Sequence, residues 1–202
     1  MKFIGITGGV GAGKSAVLDY LATKPGVRVM LADEIAHELM EPGTDCYEQI
    51  RKTFPNEDIY REDGHFDRMK LAKVIFSDEK KRVQMNEIVH PAVKRYVIAE
   101  ADRGRQEGKP ALLILEAALL IEEHYDEICD ELWYIYTRED VREARLMESR
   151  GYSKEKVQQI FASQLKEAEY RRHCSIVIDN NAGLAEMQHQ IDEAVETIVR
   201  KR

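Results

Sequence analysis

Residues 8–15 read Gly-Gly-Val-Gly-Ala-Gly-Lys-Ser, an order of residue types suited to holding anions. In a glycine-rich turn, successive backbone N–H groups can converge on a phosphate, and a helix beginning there adds the partial positive charge of its N-terminus. Gly9, Val10, Gly11, Ala12, Gly13 and Ala16 would form that cradle. Lys14 would reach the β- and γ-phosphates of a nucleoside triphosphate, and the Ser15 hydroxyl would ligate Mg²⁺. The competing reading is a glycine turn that binds nothing. The apolar run at 3–7, leading straight into the turn, favours the phosphate loop because strand, loop and helix then follow in the required order.

Other residues extend the chemistry from binding to transfer. Phosphoryl transfer to an alcohol uses a carboxylate that orients the hydroxyl and accepts its proton. Asp33 follows the second apolar run, at the sheet edge where doubly wound folds bind ligands. It would also serve as N-cap of a helix over 34–40, and the two roles are compatible. Glu116 interrupts the apolar run at 111–121, which is costly unless its carboxylate meets a polar site or a partner. Arg138, Arg142, Arg145 and Arg150 share a segment with Glu139, Asp140, Glu143 and Glu148, so intrahelical ion pairs are one reading. An arginine brought over the phosphates is the other, with Arg145 the first candidate. His90 would bind a phosphate or end a helix before Pro91, with the helix end slightly favoured.

The elements that must position these residues alternate along the chain. Short β-branched runs at 3–7, 27–31, 111–115, 131–136 and 176–178 predict strands, and helical patterns separate them, the signature of a covered parallel sheet. Helix one starts at the phosphate loop with Val17, Leu18 and Leu21 on its inner face. About eighty residues without a strong strand, 32–110, predict an inserted helical subdomain, with a break or kink at His90-Pro91. Two charged helices are expected over 138–150 and 153–173, the second capped by Ser153. An amphipathic helix over 182–202 closes the chain, with Leu184, Met187, Ile191, Val195 and Ile198 as its stripe.

Composition excludes several classes. The 202 residues are 44% hydrophobic and 33% charged, as in a soluble globular protein, and the net charge of −7 argues against nucleic-acid binding through a basic surface. The aromatics do not interleave with a basic stripe. The run at 111–121 is too short to span a membrane, and the start of the chain lacks the pattern of a secretion signal, so no membrane partner and a cytoplasmic location are expected. Cys46, Cys129 and Cys174 lack a metal-binding spacing. Oligomeric state is not legible.

The ordered set of motifs resembles the dephospho-coenzyme A kinase family along nearly the whole chain. It comprises 4–15, Ala32-Asp33-Glu34-Ile35-Ala36-His37, Glu41-Pro42-Gly43, Phe66-Asp67-Arg68, Phe76-Ser77-Asp78 with Lys81-Arg82, Asn86 to His90-Pro91, Leu119-Leu120 with Glu122, Gln164, and Ile178-Asp179-Asn180-Asn181. The resemblance implies transfer of the ATP γ-phosphoryl to the ribose 3′-hydroxyl of dephospho-CoA, giving coenzyme A and ADP. It also implies an α/β fold of the P-loop nucleoside triphosphate hydrolase type, a five-stranded parallel sheet flanked by helices, with a helical acceptor-binding insertion and a lid. One domain over 1–202 would comprise a core (1–33, 110–137, 174–202), an insertion (about 34–109) and a lid (about 138–173). By the same resemblance Lys14, Asp33 and Arg145 are catalytic and Gly9 to Ala16 hold ATP and Mg²⁺. Asn180 lies near the adenine, and Asp33, Asp67, Arg68, His90 and Glu116 face the acceptor. Three departures stand out: Leu31 replaces an aspartate, Ala118 replaces a proline, and Arg150 stands beside Ser149 where many members have the arginine. A nucleoside or nucleotide kinase is the nearest rival. A guanine-nucleotide switch would need Asn-Lys-x-Asp, which does not occur.

Overall fold

A computed structural model describes residues 1–200, so the last two positions of the expected closing helix lie outside the described residues. Five strands form one sheet in the order β2-β3-β1-β4-β5. They are β1 (Lys2–Thr7), β2 (Val27–Leu31), β3 (Leu112–Glu116), β4 (Glu131–Tyr136) and β5 (Ile176–Asp179). β1 lies at the centre, pairing in parallel with β3 (Ile4 opposite Ile114) and with β4 (Ile6 opposite Trp133). Phe3, Ile4, Ile6, Leu113, Ile114, Leu115, Trp133 and Ile135 are fully buried. Near-continuous burial of this kind marks strands covered on both faces, which is why they read as unbroken apolar runs.

The chain forms two compact units, residues 1–30 with 104–202, and residues 31–103. In the first, helix α1 (Lys14–Ala22) buries Val17, Leu18 and Leu21. The closing helix, α9 (Leu184–Arg200), buries Met187, Ile191, Ala194 and Ile198, while Leu184, expected on the stripe, is 59% exposed. Asp192 of α9 accepts from the Tyr20 hydroxyl at 2.8 Å and pairs with Lys24 at 2.6 Å, tying α9 to the region of α1. The segment after β4 holds three helices rather than two: α6 (Glu139–Arg150), α7 (Lys154–Ala162), capped by Ser153, and α8 (Glu167–His173). The chain turns at 163–166 and α8 docks on the sheet through Tyr170, which stacks on Tyr134 at 4.7 Å. One straight helix would forgo that contact.

The second unit holds α2 (Ala32–Leu39), α3 (Asp45–Thr53), α4 (Arg68–Ser77) and most of α5 (Glu79–Glu107). The Thr44 side chain caps α3 and Asp67 caps α4. Tyr47, Tyr60 and Phe66 pack ring on ring, with Tyr60 and Phe66 joined by an isolated antiparallel bridge. Of the break or kink expected at His90-Pro91, the break does not occur, since α5 runs on past Pro91. A proline removes one helical hydrogen bond, and the buried Val89, Ala92, Val93 and Val97 hold the two halves in register. Among the described residues no helix is long and apolar enough to cross a membrane.

Candidate active site

β1 ends at Thr7, and the chain turns through residues 8–13 before α1 begins at Lys14, so strand, loop and helix N-terminus are consecutive. Gly11 and Gly13 take left-handed backbone, with φ of 83° and 86°. At Gly13 a side chain is doubly excluded, because a Cβ there would also run into the Asn180 amide. The Ala12 carbonyl accepts from two buried side chains, Thr137 Oγ1 at 3.0 Å and Asn180 Nδ2 at 2.9 Å. This pins the loop from β4 and β5 and leaves its turn shaped before any anion arrives.

Lys14 Nζ donates to the Gly8 carbonyl at 2.8 Å and lies 3.5 Å from Glu116 Oε1, both side chains mostly buried. The carboxylate expected to need a partner therefore has Lys14, and it stands beside the phosphate loop. Ser15 and Ala16 are exposed in the first turn of α1. No group of three or more potential metal ligands of the His, Cys, Asp or Glu type occurs among the described residues. A Mg²⁺ ion would fit that arrangement if the Ser15 hydroxyl and the phosphates hold it, since magnesium commonly keeps several waters and few protein ligands.

The arginines of α6 divide by partner. Arg138, the N-cap residue just before α6, pairs with Asp140 at 3.1 Å, an ion pair at the helix start rather than along its face. Arg145 Nη2 donates to the Asn180 carbonyl at 3.0 Å, beside the loop. Arg142 is 8% exposed and donates from Nε to the Val10 carbonyl at 2.9 Å. Its burial lowers the guanidinium pKa from the ordinary value. Arg150 lies in the last turn of α6, exposed. Thr137 and Arg142 are loop contacts that sequence reasoning left without this role. Thr137 had a signal, since it follows β4 directly and the carboxyl edge of a parallel sheet is where ligands bind.

In the second unit, Asp33 is the second residue of α2, and the cap position belongs to Leu31. Its carboxylate is not the N-cap, which removes the structural alternative weighed for it. A cavity of about 710 Å³ opens in this unit. His37, Arg61, His65 and Arg68 give it a basic side, and Met69, Ile75 and Phe76 an apolar side. Asp67 lines it too, but its Oδ1 accepts from the N–H groups of Met69 and Lys70 at 3.0 and 3.1 Å as a helix cap. His65 Nε2 lies 3.1 Å from Glu41. His90 sits half-buried in the middle of α5, not at a helix end.

A central strand emptying into a pinned glycine loop, with Lys14 at its mouth and arginines of α6 beside it, defines a P-loop kinase. A dephospho-CoA kinase from Campylobacter jejuni has the same fold, with a TM-score of 0.75 at 20% identity over 100% of this chain and 99% of that one. The family profile for dephospho-CoA kinase matches residues 2–186, and the chain belongs to that family. It is 36% identical to the dephospho-CoA kinase of Shouchella clausii, over 95% of this chain and 96% of the relative. A crystal structure from Thermus thermophilus matches at 29% identity with a TM-score of 0.77, covering 97% and 96% of the two chains. The family catalyses the ATP-dependent phosphorylation of dephospho-CoA, the last step of coenzyme A biosynthesis, with an alcohol group as acceptor.

Proposed function

We propose that this chain carries out that reaction with the following division of labour. Backbone N–H groups of residues 9–16 hold the ATP phosphates and Lys14 bridges the β- and γ-phosphates. The Ser15 hydroxyl, with the phosphates, would hold Mg²⁺, which would supply positive charge at the transferring group. Arg145, anchored on the Asn180 carbonyl, stabilises the negative charge of that group, and Asn180 lies at the nucleotide end of the site. Asp33 orients the ribose 3′-hydroxyl and takes its proton as the new O–P bond forms and the bond to the β-phosphate oxygen breaks, releasing ADP.

The acceptor occupies the cavity of the helical unit. Arg68 and His37 meet its diphosphate and His90 a further polar group, while the apolar side takes the uncharged arm. Residues 138–173 act as the lid, and the cytoplasm, where ATP is abundant, is the compartment. The single observation that carries this reading is the Lys14–Gly8–Glu116 arrangement at the mouth of a loop pinned by Thr137 and Asn180. It gives a phosphate cradle with its cation already in place.

The test is ADP release with ATP and Mg²⁺ and either dephospho-CoA or a panel of nucleosides and nucleoside monophosphates. Turnover with dephospho-CoA alone is expected, and Asp33→Asn should lower kcat by about 10²–10⁴-fold with little change in KM for ATP. Preferential turnover of a nucleoside would overturn the acceptor assignment, and full activity in the variant would remove Asp33 from the chemistry.

A further inference from the structure

Gly9 poses a question that the phosphate-binding pattern does not answer. The pattern asks for glycine at positions 8 and 13 and leaves 9 open. Gly9 is not among the residues with left-handed backbone, so its conformation does not call for glycine. The neighbourhood does. A Cβ at Gly9 would run into the Arg142 guanidinium, whose Cζ, Nη1 and Nη2 are its nearest neighbours. The same guanidinium has the Phe161 ring 4.3 Å from its Cζ, donates from Nε to the Val10 carbonyl at 2.9 Å, and donates from Nη2 to Gln164 Oε1. Val10 in turn packs on a buried cluster of Leu146, Val157 and Phe161.

A planar group sandwiched in this way, with donors spent on a loop carbonyl and a glutamine, is built to hold the loop. It is not an arginine waiting to swing onto a phosphate. Resting on the reading of this loop as the ATP site, we infer that Arg142 is a positioning residue for the phosphate loop, that Gln164 and Phe161 set its orientation, and that Gly9 is glycine to admit it. The turn between α7 and α8 thereby helps determine how well the loop binds nucleotide, although none of its residues need touch the nucleotide.

The experiment measures binding of Mg·ADP by calorimetry, which needs no acceptor and no turnover, to the wild type, Gly9→Ala, Arg142→Ala and the double variant. Each single change is expected to weaken binding about tenfold, since each disturbs a buried polar contact. The double variant should be no weaker than the worse single one, because the added methyl then meets no guanidinium. Arg142→Lys should fail to rescue, as lysine keeps the charge and loses the plane. Gln164→Leu should weaken binding several-fold, and Gln164→Glu, which retains the acceptor, should restore it. Melting curves check folding, and the Gln164 pair carries the test if Arg142→Ala does not fold.

Losses that multiply in the double variant would overturn the inference, as would an Arg142→Ala protein with unchanged ADP affinity and reduced kcat. A wild-type protein that bound no ADP would instead overturn the ATP-site reading, and the inference with it.

Discussion

The phosphate loop and the helical-unit cavity are built in opposite ways. Around the loop, carbonyls of residues 8, 10 and 12 are all taken by side chains, and Thr137, Arg142 and Asn180 are buried at 2%, 8% and 7% exposure. Around the cavity, Met69 and Phe76 are 84% and 82% exposed, Arg61 pairs with Asp63 at 3.4 Å on the surface, and His65 lies 3.1 Å from Glu41. The first arrangement suits a ligand whose phosphates must be held within tenths of an ångström during transfer, because misplacement costs rate directly. The second suits a larger acceptor bound through many weak contacts, each individually dispensable. The difference teaches where damage should be severe and where graded.

The largest effect should come from Lys14→Ala, which removes the cation that lies between the Gly8 carbonyl and Glu116 at the mouth of the loop. A fall in kcat/KM of about 10³-fold is expected, and steady-state kinetics showing less than tenfold would break the contrast at its strong end. Asn180→Ala withdraws one of the two donors on the Ala12 carbonyl and should destabilise the fold by about 1–3 kcal/mol. Thermal melts, with and without Mg·ADP, read this loss, and ADP should restore less of it than in the wild type.

On the other side, Arg68→Ala and Phe76→Ala should each raise KM for dephospho-CoA about fivefold and leave KM for ATP unchanged. Equal changes in both constants would mean that the cavity does not serve the acceptor alone. The smallest effect concerns the thiols. Burial pushes Cys129 and Cys174 up from 9.0 to about 12 in the folded protein. The unfolded chain releases these protons near pH 9 while the folded one retains them, so their contribution to stability is whole below pH 9 and declines between pH 9 and 12. At pH 8 alkylation of both should be much slower in native than in denaturant-unfolded protein, since the thiolate is the reactive form.

Much of this was readable from residue order, and the exceptions have physical causes. The five strands and the phosphate loop were legible because burial on both faces writes unbroken apolar runs and because anion cradles need glycine, lysine and serine at set intervals. Pro91 does not end the helix, because a proline weakens a helix only locally and one buried at Val89, Ala92, Val93 and Val97 tolerates the loss. The division of 153–173 into α7 and α8 depends on Tyr170 meeting Tyr134, a partner some thirty-six residues away that no local pattern reveals. Asp33 read equally as cap or functional carboxylate, and a start of α2 one residue before it removed the cap.

The sequence by itself determined the family and the strand–loop–helix order at the N-terminus, since each depends on residue types at fixed chain spacing. Tertiary structure alone decided which charges act together. Arg138, Arg142, Arg145 and Arg150 look alike in a row of letters, yet one pairs with an aspartate, one clamps Val10, one holds the Asn180 carbonyl and one lies exposed. The reason is geometric. Arg142 and Arg145, three apart on α6, point in nearly the same direction, and their roles are settled by what other strands and loops bring within about 3 Å of each.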